Sequence, residues 1–350
     1  MDSPVSRTVI TTAALFIIFA GLKMAEAIIN PFLLAIFFAT LFAPPFMWLQ
    51  RRKVPTTIAL LLIIAGIILA QTLVVAFVGS QLTAFKANLP VYQDHLNTLF
   101  NGVPGYLKKL GIDLHSEDWT SYFDPNAAAT LAGKLFSGLS GVLTNTFLIL
   151  ITVIFILLEA SSFPVKMRAI AHDPHASLLK FDKILTDIQN YMAIKTWMSI
   201  VTGVSVAILL ASLNIGYPLL WGLLAFLLNY VPNIGAIIAA VPPILLALIE
   251  QGPGMCLVVS SALLVVNILI GNVIEPRFMS RGLGLSTLVV FISLIFWGWV
   301  LGPVGMLLSI PLTMTLKIML ENNEDTRWIS ILLGPEKVVG QYTASRYDEA

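Results

Sequence analysis

Six apolar runs, at 8–22, 27–49, 57–79, 138–159, 197–214 and 255–274, dominate the chain. Each is long enough, or nearly so, to cross a bilayer as a helix. The runs are continuous rather than alternating, and backbone amides in lipid must be bonded within their own segment, so helices are expected and barrel strands are not. Two amphipathic regions, 80–137 and 160–196, separate these runs, and a polar tail begins at 321. Over 81–100, Leu82, Phe85, Leu89, Tyr92, Leu96 and Leu99 recur at three- and four-residue steps, which predicts a helix with one apolar stripe. Gly102, Pro104, Gly105 and Gly111 then predict a loop. A similar stripe runs through Leu178, Phe181, Ile184, Leu185, Ile188 and Met192. Helices of this kind lie in the membrane interface or pack on neighbouring subunits.

Two further stretches, 217–249 and 285–320, are apolar hairpins with matching punctuation. The first carries Pro232-Asn233-Ile234-Gly235 and then Val241-Pro242, and the second carries Pro303-Val304-Gly305 and then Ile310-Pro311. Their arms, 217–230, 234–249, 285–300 and 304–320, hold 14, 16, 16 and 17 residues. Such arms reach roughly 21–26 Å, short of a hydrocarbon core of about 30 Å. Paired interruptions in corresponding positions point to a transporter's substrate site, although glycine and proline are also common in ordinary membrane helices.

The expected fold is therefore an all-α polytopic membrane protein. It has six spanning helices plus two broken re-entrant helical hairpins forming an inverted repeat, eight to ten membrane segments in all. The expected organisation is N-terminal transmembrane helices (1–79), an extracytoplasmic amphipathic subdomain (80–137), a transmembrane helix (138–159), cytoplasmic amphipathic helices (160–196), a transport core with both hairpins (197–320) and a cytoplasmic tail (321–350).

Composition agrees with the membrane class: 57% of residues are hydrophobic, 11% are charged, and mean hydropathy is +0.89. A net charge of +1 leaves no basic excess for a nucleic-acid partner. With N- and C-termini placed in the cytoplasm, fifteen of the twenty Lys and Arg residues fall on the inner side. Only Lys23, Lys86, Lys108, Lys109 and Lys134 fall outside. The same parity turns the second hairpin upside down relative to the first, with both tips near the midplane. The single cysteine, Cys256, lies in an apolar run and reads as a small core residue. No leader-type cleavage site follows residues 9–22.

Few acidic residues lie in or beside apolar runs: Glu26, Glu159, Glu250 and Glu275. Glu26 follows Lys23 by three residues and is expected to pair with it, while Glu159 and Glu250 read as solvated ends of runs. Asn267, Gly271 and Glu275 are four apart and predict one polar helix face joined by Asn272, with Pro276 freeing carbonyls nearby. That arrangement suits a cation or proton; a Glu275–Arg277 interfacial pair is the other reading. At the first tip, Asn229, Tyr230 and Asn233 surround Pro232 and Gly235, where a half-helix start near Ile234 could present amides to an uncharged polar solute. The expected path comprises Asn229, Tyr230, Pro232, Asn233, Gly235, Asn267, Asn272, Glu275, Gly302, Pro303 and Gly305, with Pro242, Pro243, Pro276 and Pro311 as hinges. Trp221, Trp297 and Trp299 read as packing, and His172-Asp173-Pro174-His175 as a turn. No nucleotide, metalloprotease or nucleophile motif occurs, so neither an enzyme, a cofactor nor a metal is expected.

The segments Tyr230-Val231-Pro232-Asn233-Ile234-Gly235, Pro242-Pro243, Asn272-Val273-Ile274-Glu275-Pro276-Arg277-Phe278-Met279 and Gly302-Pro303-Val304-Gly305 resemble the autoinducer-2 exporter (AI-2E) family of bacterial permeases. The resemblance is specific in the C-terminal half, whereas 1–137 matches in hydropathy alone. It implies export of autoinducer-2, a small furanone-type quorum-sensing signal, across the bacterial inner membrane. Some family members are described as sodium(lithium)/proton antiporters, which makes ion exchange the alternative. A non-transporting scaffold is the third reading. The resemblance also implies a homo-oligomer in the lipid bilayer, with a pentamer expected.

Overall fold

The computed structural model describes residues 4–109, 146–160, 162–170, 174–232, 234–278, 284–321 and 326–335. Among these every regular element is a helix: α1 (Pro4–Met24), α2 (Glu26–Arg51), α3 (Thr56–Lys109), α4 (Thr146–Ala160), α5 (Phe163–Ile170), α6 (Pro174–Ser212), α7 (Pro218–Leu228), α8 (Ile234–Gln251), α9 (Pro253–Asn267), a π-helix (Ile268–Ile274), α10 (Glu275–Phe278), α11 (Thr287–Glu321) and α12 (Arg327–Leu332). The chain is an all-α polytopic membrane protein.

Six stretches are long and apolar enough to cross a bilayer: 26–51, 56–85, 185–212, 234–251, 253–278 and 287–321. These differ from the six expected spans. Run 8–22 lies within the 21-residue α1, and the described residues of run 138–159, 146–159, form an apolar helix. Two of the six come from the hairpins: α8 extends past its two prolines, and 287–321 consists of two helical arms that meet at a kink at Gly302. Large apolar side chains stand exposed along these helices, Phe16 at 74% and Leu257 at 70%, as expected where lipid is the solvent.

The expected boundaries at 79/80 and 196/197 fall within helices: α3 and α6 continue through both without a break. Gly102, Pro104 and Gly105, expected in a loop, lie in the last turns of α3. Helix penalties of about 1 kcal/mol for glycine and about 3 for proline are small beside the ladder of so long a helix. Gly111 lies outside the described residues.

The residues cluster into two compact units: 1–66, 144–196 and 276–350, and 67–143 with 197–275. In the first unit, α2 packs along α4, and α11 packs on α1, α2 and α12. Glu159 ends the apolar α4 on the exposed surface, where Lys166 of α5 and Ser162 bond its carboxylate. In the second unit, α7 folds back on α8, and α8 packs along α9 after a turn at Gly252 with φ +87°. Its core gathers Leu210, Leu220, Trp221, Leu224, Leu246, Ala247, Val259 and Leu263. Lipid tails are as apolar as leucine, so close packing and hydrogen bonds, rather than water exclusion, hold such helices together. Gly203 and Gly222 show the packing term: a Cβ at either would stand 2.7 Å or 2.6 Å from the other's carbonyl oxygen, so α6 and α7 touch backbone to backbone. The indole of fully buried Trp221 donates to the Gly216 carbonyl at 3.0 Å, which is a packing role with its polar atom satisfied.

Candidate functional site

Each hairpin turns on a glycine. A Cβ at Gly235 would run into the Leu228 carbonyl oxygen, and one at Gly305 into the Trp297 carbonyl oxygen. The partner lies seven residues back in one hairpin and eight in the other, so the same close approach recurs in both. The breaks differ. The first spans residues 229–232 and Asn233, which lies outside the described residues; Val231 donates to Leu228 and Gly235 donates to Val231 across it. The second is a single residue, Gly302, at φ 60° and ψ −147° inside α11. That one residue reverses the chain. Ser293 Oγ donates to the Ser309 carbonyl at 3.0 Å, whereas 16 residues of straight helix would separate them by about 24 Å. Ser293 and Thr313 hydroxyls meet at 2.5 Å, and the Trp297 indole donates to Thr313 at 2.9 Å. Polar groups buried between the arms thus satisfy one another and staple the second hairpin shut.

Beside the first break, within the second unit, lies a small cleft, part of it open to the surroundings. Its polar lining comes from Thr202 on α6, Asn229 at the end of α7 and Asn267 at the end of α9, and its apolar wall includes Ala236, Ala239 and Ala240 of α8. No charged side chain lines it. The Asn229 amide is held in place: its Nδ2 donates to Oγ of Ser199, a residue with no exposed surface, at 3.1 Å. Amides and a hydroxyl over an alanine wall can exchange hydrogen bonds with a small neutral solute. They offer an anion no cation, and a cation no carboxylate.

Of the expected path, the structure brings Asn229 and Asn267 to one cleft. Tyr230 is buried beside it, edge-on to Phe226. Pro232 caps the break, accepting from Ile234 at 2.6 Å, and Gly235 starts the second arm. Asn272 is exposed, and Glu275 is half-buried outside the cleft lining. The expected four-residue polar face does not form, because residues 268–274 make a π-helix in which Glu275 donates to Ile270, five residues back. Pro276 gives the physical reason: it has no N–H and crowds the carbonyl of residue 272, and a widened turn accommodates both. Gly302, Pro303 and Gly305 lie at the other break, in the first unit. Among the expected hinges, the helices continue through Pro242, Pro243, Pro276 and Pro311, and within α11 only Gly302 leaves helical dihedrals.

Sequence reading passed over Ser199 and Thr202, whose three-residue spacing in an apolar run was the available signal. It passed over Asn30 as well, in an apolar run one turn after Glu26. The expected Lys23–Glu26 pair is replaced. A break at Ala25 separates α1 from α2, so the two residues share no helix face. Lys23 lies over the Trp299 ring, 4.3 Å from its centroid, and Glu26 accepts from Asn30 at 3.4 Å.

A helical membrane protein with two broken hairpins, the first of them beside a polar, uncharged cleft, has the build expected of a transporter. The chain belongs to the AI-2E transporter family, whose model matches residues 12–325. It is a transport protein of that family, with a small-molecule solute and a membrane setting. It is similar to the AI-2 transport protein TqsA of Escherichia coli (strain K12), 41% identical over 93% of this chain and 95% of TqsA. A putative transport protein of Haemophilus influenzae is 40% identical over 94% of this chain and 96% of its own length. The putative transport protein YhhT of Escherichia coli (strain K12) is 38% identical over 92% and 93%.

Proposed function

We propose that the protein exports a small neutral polar signal of the autoinducer-2 type across the bacterial inner membrane, by secondary transport or facilitated diffusion. The observation that carries this reading is the cleft beside the first break, lined by Asn229, Asn267 and Thr202 with no charged side chain among its walls. A multiply hydroxylated furanone can donate and accept at every such position, and TqsA, similar over nearly the whole chain, is named for AI-2 transport. The bias of fifteen Lys and Arg residues to five supports cytoplasmic N- and C-termini. With that orientation the two hairpins form an inverted pair whose tips gate the path. Exposed apolar faces on several helices leave room for a homo-oligomer, and a pentamer is our reading.

A scaffold that moves nothing would need a solidly packed first hairpin, and the cleft beside Ala236 counts against it. Ion exchange centred on Glu275 has less support than solute export, because Glu275 and Asn272 do not share the cleft with Asn229.

Proteoliposomes test the proposal. Labelled autoinducer-2 should cross vesicles holding the protein, and Asn229→Leu should lower that flux at least tenfold while leaving thermal unfolding close to wild type. Equal flux in empty vesicles would sink the idea.

A further inference from the structure

The bonds already made around the cleft beside the first break limit what it can still bind. Thr202 is buried, and its Oγ1 donates to the Met198 carbonyl at 2.9 Å within α6. A hydroxyl has one proton, so Thr202 has lone pairs left to offer and nothing to donate. Asn229 spends one N–H on Ser199 Oγ and keeps its Oδ1 and a second N–H. Pro243 has no N–H, so the Ala239 carbonyl lacks the donor that a regular helix supplies. Residues 236, 239, 240 and 243 share one face of α8, which puts that carbonyl on the side of the helix that walls the cleft. Asn267 brings a further amide from α9. A solute group that meets Thr202 must therefore donate to it.

Size narrows the partner further. The space among Thr202, Asn229, Asn267 and the wall of Ala236, Ala239 and Ala240 holds about one water molecule. A hydroxyl group fills that space, donates to Thr202 and accepts from an asparagine N–H. An ether oxygen in its place leaves a buried acceptor unpaired, and its extra carbon meets the alanine wall. We propose that the cleft is a single-hydroxyl subsite, in which Thr202 selects a donating hydroxyl and the alanine face of α8 rejects its ethers. The rest of the solute lies outward, through the open side of the cleft. The inference rests on the cleft being the solute site proposed above, and it makes the solute class polyols with an unsubstituted hydroxyl.

The test uses the purified full-length chain in detergent, with anhydroerythritol (a cyclic diol on a tetrahydrofuran ring) and its dimethyl ether as probes. The diol should raise the unfolding temperature saturably, as a ligand of the folded state does, and the ether should need at least about tenfold more for the same shift. Thr202→Val keeps the side-chain shape and removes the acceptor, so it should bring the diol's midpoint to that of the ether. Thr202→Ser should restore the difference. Ala236→Val occupies the hydroxyl's space and should abolish the diol response. Equal midpoints for diol and ether in the natural chain overturn the subsite, as does the absence of a saturable diol response or a Thr202→Val chain that still prefers the diol. If Thr202→Val does not fold, Ala236→Val carries the test, and an unchanged diol midpoint there overturns the subsite equally. Flux of labelled autoinducer-2 in proteoliposomes separates the two readings. A preference for the diol without that flux sinks autoinducer-2 export and upholds the subsite, whereas flux with equal midpoints sinks the subsite alone.

Discussion

The two hairpins share a way of turning and differ in where their polar groups go. In each, a glycine presses on a backbone carbonyl of the opposite arm, Gly235 on Leu228 and Gly305 on Trp297. In the second, Ser293, Trp297 and Thr313 bond one another between the arms, and the break is one residue long. In the first, the arms meet through small and apolar side chains, and the amide of Asn229 faces a cleft it shares with Asn267. Polar groups inside a membrane must be satisfied somewhere. A hairpin that satisfies them internally becomes a rigid element, whereas one that leaves amides at a cleft can satisfy them with a solute. Under the proposed export, the first hairpin is the recognition element and the second a stapled, rigid one.

The largest effect to test is the shared device itself. Gly235→Val or Gly305→Val sets a Cβ on a backbone carbonyl that has no way to yield, and each should cost at least about 4 kcal/mol, enough to abolish folding. Size-exclusion profiles in detergent would show it, and monodisperse, normally stable variants would break the shared-turn description. Next is Asn229→Leu, expected to silence flux without unfolding the chain, while Ser199→Ala should lower flux less by releasing Asn229. If Ser199→Ala leaves flux untouched, Ser199 does not hold the amide in its working position. Smaller again is the staple of the second hairpin. Ser293→Ala and Thr313→Val should each cost about 1 kcal/mol of thermal stability and prove non-additive in a double-mutant cycle, with little change in the cleft. Additive losses would mean that the hydroxyls act separately.

The smallest effect lies at the base of the first hairpin, where α3 is tied down. Tyr92 donates to Glu250 at 3.3 Å, Gly216 N–H donates to the other oxygen of Glu250 at 3.0 Å, and Asn88 donates to Tyr217 at 2.7 Å. Burial, then Tyr217 and Glu250, hold the Tyr92 phenol above its ordinary range. A raised folded-state value means the contribution is complete below the unfolded phenol value and falls away only as pH rises beyond it. Tyr92→Phe should therefore cost about 0.5 kcal/mol, constant from pH 6 to about pH 9. A loss that varies across that range would mean another group supplies the bond.

Much of this was legible in the chain. Continuous apolar runs imply helices because lipid offers no other partner for the backbone, and the Pro-Asn-Ile-Gly and Gly-Pro-Val-Gly breaks imply the two turns because those residues interrupt the ladder by their covalent structure. Asn229 was legible as a polar residue flanking a breaker. Asn272 and Glu275 were misplaced relative to it, because a π-turn of seven residues rotates everything after Asn267 off the expected face. The Lys23–Glu26 pair failed for a similar reason, a break at Ala25 that spacing does not reveal.

By itself, then, the sequence determined the helical membrane class, the family and the location of both breaks, all properties of composition and local covalent geometry. Only the tertiary structure decided which polar groups meet. Ser199 steadying Asn229, Thr313 joining two arms and Asn30 reaching the tip of α11 are contacts between residues 16 to 271 positions apart. Helix phase and backbone packing set such contacts, and small shifts in either, a single π-turn or a glycine crossing, redirect a whole side-chain face.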